Sequence, residues 1–110
     1  MIFLQELYLG ENIAPKVDQI VKKIKNDQVV PNLYLIVMAS HPDNMLDLIP
    51  QKDIVQKGYP RDELRFVGLA DHKKEAFSLV QLIIEESMLM TSSADVRIYL
   101  EEKWEGQACK

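Results

Sequence analysis

The chain has very little cysteine. Its only thiol, Cys109, is the residue before the last of 110. One thiol cannot form an internal disulfide, and without a CxxC pair the sequence offers neither the usual zinc-ligand spacing nor a dithiol redox centre. We interpret Cys109 as a free thiol on a loose C-terminal tail, residues 106–110, and we expect neither a metal nor a cofactor.

Basic residues and long hydrophobic runs are also scarce. There are 13 Lys and Arg against 17 Asp and Glu, which gives a net charge of −4. Nucleic-acid binding needs clustered basic side chains, so this balance argues against a nucleic-acid partner. The cleanest apolar run, residues 33–39, is far shorter than the about 20 residues that span a bilayer. The first residues also lack a cationic leader, so we expect a cytoplasmic protein with no membrane partner.

Sequence motifs that would assign a reaction are absent as well. The chain contains no GxGxxG, GxxxxGK[ST], HExxH or GxSxG pattern. It also lacks the acidic cluster that holds magnesium in receiver domains. Because each of these motifs places specific groups against a phosphate, a metal or a scissile bond, their absence favours a protein that is not an enzyme.

The composition that remains is that of an ordinary globular domain. Apolar residues make up 47% of the chain and charged residues 27%. A chain of this length fits one compact domain. We therefore predict a single domain over residues 1–105.

Apolar residues at helical spacing predict several helices. Residues 12–26 carry one apolar stripe, with Asn12 as a plausible N-cap. Residues 43–58 suggest two short helical pieces divided at Pro50. A long helix over about 73–91 is apolar on more than one side, so we expect the sheet and another helix or subunit to bury it. A last helix is predicted over about 95–104.

Continuous apolar runs predict the strands. Residues 32–39 and 64–70 are typical of strands covered on both faces, as in a parallel sheet. Residues 2–9 fit either a strand or a short helix, and we favour a strand. The alternation of strands and helices predicts an α/β fold with a small three-stranded, mostly parallel sheet. Such a sheet has exposed edges that can pair with another subunit.

Polar side chains follow the two buried strands. The carboxyl ends of parallel strands meet at one edge of a sheet, where ligands bind in open α/β folds. Histidine at that edge can act as a general base, a phosphoryl acceptor or a metal ligand. The candidate ligand site therefore comprises Ser40, His41, Asp43, Asp71, His72, Lys73 and Lys74.

Helix capping is the competing explanation for these residues. Ser40 followed by Asp43 is a helix-start pattern, and Asp71 is a good N-cap for the long helix. Capping does not explain Lys73 and Lys74, because cations in a first helical turn oppose the macrodipole and suit a bound anion. Nor does it explain Gly68, which weakens a strand unless something packs closely against it.

Four segments carry a resemblance to a known family. They read LYLGENI, LYLIVMASHPDNMLDLIP, FVGLADHKKEAFSLV and DVRIYLEE. Through them, residues 7–101 resemble a family of short bacterial α/β proteins, chiefly from anaerobic Gram-positive bacteria, with no assigned function. The chain departs from that pattern at Val37-Met38, where threonine is frequent, and at His72-Lys73-Lys74, a variable stretch. The resemblance implies a small free-standing protein and argues against a catalytic His72.

Two classes of function follow. The first is a non-enzymatic protein that acts through association, as a homo-oligomer or an accessory subunit. The alternative is a ligand-binding or phosphoryl-handling domain with a small anionic ligand at the strand ends. A metal-dependent hydrolase is a third hypothesis, and it requires His41 and His72 to share one cleft.

Overall fold

The computed structural model describes residues 2–38, 46–57, 65–92 and 95–108. A 3-10 turn, Ala14–Lys16, leads into the first helix. In chain order the elements are β1 (Ile2–Leu9), α1 (Val17–Lys25), β2 (Tyr34–Met38), β3 (Leu46–Pro50), α2 (Gln51–Lys57), β4 (Arg65–Ala70), α3 (Lys73–Thr91) and α4 (Val96–Ala108).

The strands form one mixed sheet in the order β1-β4-β2-β3. β1 and β4 are parallel, whereas β2 is antiparallel to both β4 and β3. The predicted α/β class and the strand over residues 2–9 are confirmed. The predicted three-stranded, mostly parallel sheet is wrong, because the part of the chain that the structure describes forms four strands with two of three pairings antiparallel.

The strand that was not predicted is β3, which lies inside the segment predicted to be helical. It pairs with β2 from Tyr34 opposite Pro50 to Met38 opposite Leu46. A run as short as LDLIP fits both the 3.6-residue period of a helix and the two-residue period of a strand, so its apolar residues did not exclude a helix. Pro50 is tolerated because β3 is an edge strand, and α2 begins directly after it.

Helices cover both faces of the sheet, and this explains why strand direction was predicted wrongly. α1 and α2 pack on one face through Ile20, Ile24 and Ile54, where they meet Leu35 and Val37 of β2. α3 and α4 pack on the opposite face. A strand covered on both sides is apolar throughout, whichever way its neighbours run.

The second face has its own core. Ile36 and Met38 of β2 pack there with Ile83 of α3 and Leu100 of α4. Successive β2 residues therefore belong to different cores, as the alternation of side chains along a strand requires. α3 has the predicted bounds, whereas α4 runs to Ala108, through the first residues of the predicted tail. Cys109 lies outside the described residues.

Gly68 marks an irregularity on both sides of β4. The register shifts between Ile36 and Val37 of β2, and again between Phe3 and Tyr8 of β1. A Cβ atom on Gly68 would lie 2.7 Å from the backbone oxygen of Tyr8. The sequence-based expectation that something packs closely against this glycine is therefore confirmed, and the neighbour is the backbone of β1.

We predict that Gly68→Ala destabilises the protein by about 1–3 kcal/mol, because the added methyl group meets backbone that cannot move aside. Gly10→Ala is the matched comparison, since there the added atom meets only the side-chain carboxylate of Glu75. Urea unfolding measures both variants. Adding Glu75→Ala should restore the stability lost in Gly10→Ala, because the carboxylate is removed, and should not restore the stability lost in Gly68→Ala. An equal recovery in both variants contradicts this explanation.

Candidate functional site

The sheet does not bring the ends of β2 and β4 together. In the antiparallel pairing Tyr34, at the start of β2, lies opposite Ala70, at the end of β4. Asp71 and His72 therefore lie at the edge where β2 begins. The predicted parallel pairing of these two strands, which was the reason for grouping Asp71 and His72 with His41, is wrong. Ser40, His41 and Asp43 themselves lie outside the described residues.

The residue that meets Asp71 is Asn12, which follows β1. The parallel pairing continues past the strand ends, where the Gly10 amide donates to the Leu69 carbonyl over 3.0 Å. The Asn12 side-chain amide then donates to Asp71 Oδ2 over 2.8 Å. The predicted role of Asn12 as an N-cap is wrong, since α1 begins at Val17 and its N-cap is Lys16.

β1 and β4 also form a topological switch point. The chain leaves β1 towards α1 on one face of the sheet, and it leaves β4 towards α3 on the other face. Adjacent parallel strands whose helices diverge in this way open a crevice at their carboxyl ends. A cavity of about 260 Å³ lies there, which we call the β1–β4 crevice. It is lined by α1, by the loop at Val30–Asn32 and by Asp71.

The loop that forms one wall of the crevice is held by a buried glutamine. Gln51 Oε1 accepts from the Val30 amide over 2.8 Å, and its Nε2 donates to the Gln28 carbonyl over 2.9 Å. Both ends of this side-chain amide are thus satisfied, as burial requires. Gln51 therefore fixes the loop against α2 and has a structural role. Nothing in the sequence pattern distinguished it from an exposed residue.

The start of α3 differs from the predicted cap. His72 occupies the N-cap position with an extended backbone, and its side chain makes no capping hydrogen bond. Asp71 is therefore not the N-cap. Glu75 instead accepts from the Asp71 amide over 3.3 Å, and its carboxylate fills the space beside Gly10. A side chain at position 10 would displace that carboxylate.

Asp71 is held in its ionised form. The hydrogen bond from Asn12 is the main cause that lowers its pKa below the ordinary value of 3.8, while partial desolvation opposes the shift. His72 adds a smaller contribution in the same direction, with its Nδ1 atom 2.5 Å from Asp71 Oδ1. Hydrogen bonding to the charged form is a general cause of a low carboxyl pKa. The site therefore presents a fixed negative charge.

A metal ion is not the best occupant of this cluster. Ligand atoms of Asp71, His72 and Glu75 lie within 4.8 Å of one another, as a metal would require. They sit, however, at the positive end of the α3 dipole, beside Lys73 and Lys74. Both features repel a cation, and we assign no metal to these residues.

The two lysines of the predicted anion site project from the first turn of α3. Both are exposed. Lys73 Nζ lies 5.9 Å from the ring centre of Phe77, a cation–π geometry one turn further along the helix. Among the described residues, neither lysine belongs to the lining of the β1–β4 crevice. The structure thus brings together Asp71 and His72 of the predicted site and leaves Lys73 and Lys74 outside the crevice.

A second polar cluster joins β1, α3 and α4. Glu86 Oε1 accepts from the hydroxyls of Tyr8, over 2.5 Å, and Tyr99, over 3.2 Å. Lys103 donates to Tyr8 over 3.0 Å and lies over both rings. Burial, followed by the hydrogen bond to Glu86, raises the pKa of Tyr8 well above its ordinary value. These residues are far apart in sequence, and no local pattern predicted their contact.

Of the seven large apolar side chains that are exposed in the described part of the chain, five lie on α3. Only three of its residues are buried, namely Ala76, Ile83 and Ser87. We use the name α3 outer face for its exposed apolar side chains, which are Phe77, Leu82, Met88, Leu89 and Met90. Leu89 is 84% exposed and Met90 73%. The sheet and α4 bury one side of α3, as predicted, whereas these five side chains stay exposed in the described part of the chain.

Comparison with known proteins gives no relative for this chain. No protein-family model, curated protein or solved structure matches it. Within the described ranges, no helix has the length and apolar character needed to cross a membrane.

We predict that Asn12→Ala raises the pKa of Asp71 towards 3.8, because it removes the main cause of the lowered value. A carboxyl with a lowered folded pKa contributes stability above its unfolded pKa and loses that contribution as the pH falls through the folded value. The variant should therefore lose up to about 1 kcal/mol at neutral pH and less in acid.

Carboxyl NMR titration and urea unfolding at neutral and acidic pH measure both effects. Gln19→Ala, which removes another exposed amide beside the crevice, is the control. The same stability loss at every pH would show that Asn12 acts through packing and not through the charge of Asp71.

Proposed function

We propose that this protein is non-catalytic and acts by association, and that the α3 outer face pairs with a second copy of the chain. The observation that carries the proposal is the exposure of apolar side chains along α3. Large contiguous apolar surfaces on a protein commonly mark interaction sites. Met88, Leu89 and Met90 are consecutive, so they extend this surface around the last turns of the helix.

The helical spacing places the exposed apolar side chains in two rows along α3, with exposed polar side chains between them. Phe77 and Met88 are eleven residues apart, or about three turns, so they lie on the same side of α3. Leu82 and Leu89 are seven residues apart, or about two turns, and lie on the adjoining side. A helix of 19 residues is about 28 Å long, which is enough for an extended helix–helix contact.

The charges along α3 favour a second copy in antiparallel orientation. Lys74 lies in its first turn, and Glu85 lies about three turns later on the same exposed side. If the α3 helices of two copies packed antiparallel, Lys74 at the start of one helix would lie near Glu85 of the other. The two helix dipoles would then run in opposite directions, which is favourable. Parallel packing would bring like charges together. An isologous dimer of this kind has closed twofold symmetry.

We predict that the wild-type chain sediments as a dimer at micromolar concentrations and that Leu82→Glu, which would face Phe77 of the second copy, weakens the dimer by at least about tenfold, because the charge would be desolvated in the interface. Sedimentation velocity over a concentration series measures this change. Val29→Glu is the matched control, because Val29 is also exposed but lies in the loop after α1. A wild-type chain that stays monomeric throughout, or equal effects of both variants, contradicts the proposal.

The orientation is tested in the same experiment by charge reversal. Lys74→Glu should weaken the dimer, because it places like charges together across the antiparallel contact. The double variant Lys74→Glu with Glu85→Lys should restore it. Failure of the double variant to recover affinity would contradict the antiparallel arrangement, even if a dimer forms.

A further inference from the structure

The β1–β4 crevice has one wall of polar side chains. Gln19 and Lys23 are four residues apart and lie along one side of α1, and Lys16, the N-cap residue of α1, lines the same crevice. All three line the crevice and all three are exposed. Two positive charges therefore face the cavity from this side. Lys22, by contrast, lines a groove on another side of α1, against β1.

The opposite side of the crevice carries a negative charge. Asp71 lines it, and the hydrogen bond from Asn12 fixes the Oδ2 atom. Each carboxylate oxygen has two acceptor positions, so this group can still accept a hydrogen bond from a ligand. The crevice thus holds two cations and one anion, although the whole chain has a net charge of −4.

We propose that the β1–β4 crevice binds a small molecule that carries two negative charges and one ammonium group. Lys16 and Lys23 would bind the negative charges, and Asp71 would bind the ammonium group. Two carboxylates or one phosphate monoester supply the same charge, so both chemical sources fit this description. The inference goes beyond the association proposed above and uses different residues, so either can hold without the other.

The size and floor of the crevice agree with a small ligand. Its volume of about 260 Å³ lies below the range of about 300–1,000 Å³ that is usual for drug-sized ligands. Ile13, Ile20 and Pro31 contribute apolar surface to its lining. Pockets of this type combine an apolar floor with a few polar groups that set orientation.

Two matched pairs of probes test the proposal. The first is L-glutamate against glutarate, and the second is O-phosphoethanolamine against ethyl phosphate. Within each pair the compounds differ in the ammonium group, whose contact with Asp71 should be worth roughly tenfold in affinity. Amide chemical shifts of Asn12, Gln19, Asn32 and Asp71 report binding in titrations of the full-length chain.

The expected result is saturable shifts with an ammonium-bearing probe and roughly tenfold weaker binding of its matched partner. The pair that shows this difference identifies the carboxylate or the phosphate as the source. Asp71→Asn should abolish the preference for the ammonium group. Lys23→Gln should weaken the binding of every probe, whereas Lys22→Gln on the same helix should not.

Three results would overturn the proposal. They are the absence of saturable shifts with all four probes, equal affinity within both pairs, and equal loss in Lys22→Gln and Lys23→Gln. The last result would mean that the lysines of α1 attract anions without a defined site. Lys22 and Lys23 are both exposed, so neither variant is expected to perturb folding.

Discussion

The close approach of β1 to Gly68 of β4 is the contact on which the architecture depends. A side-chain atom at that position would meet the Tyr8 carbonyl at 2.7 Å, so only glycine allows the two strands to approach so closely. β4 is an inner strand, buried from Phe66 to Ala70. On one side β4 pairs with β1 in parallel orientation, and on the other side it pairs with β2 in antiparallel orientation. The two apolar cores are built on the two faces of this arrangement.

Strand direction then decides which polar groups meet. Because β1 and β4 are parallel, their ends bring Asn12 to Asp71. Because β2 is antiparallel to β4, the same edge of the sheet receives the loop before β2, with Asn32, and not the segment after it. The divergence of α1 and α3 to opposite faces opens the crevice between these groups. The distribution of charge at this edge is thus a consequence of topology.

The sequence allows the helices and the individual strands to be predicted well where their patterns are long. The bounds of α3 were predicted from its long apolar pattern, although its predicted cap was wrong, and Gly68 was predicted to be a point of close packing. Strand direction was not predictable in this way, because burial on both faces makes an inner strand apolar in either orientation. The short β3 was not predicted, because a run of five residues fits the apolar spacing of a helix as well as that of a strand.

The candidate site was predictable only in part. Asp71 and His72 were identified because they follow a buried strand; Asp71 lines the crevice, whereas His72 contacts Asp71 and is not part of the lining. Asn12 was assigned to helix capping, and no local sequence pattern places Gln19 or Lys23 beside Asp71. Their role depends on α1 packing beside the end of β4, a contact between segments about 50 residues apart. The predicted family resemblance remains untested, and it assigns no ligand to these residues.

The pairing of β2 with β4 is the central claim, because it places the loop before β2, and with it one wall of the crevice, at this edge. Backbone NOEs between the two strands in a labelled sample measure it directly. The structure predicts contacts between Tyr34 and Ala70, at the end of β4 that leads into Asp71. Contacts between Tyr34 and Arg65 instead would show a parallel pairing, and they would contradict both the sheet and the crevice described above.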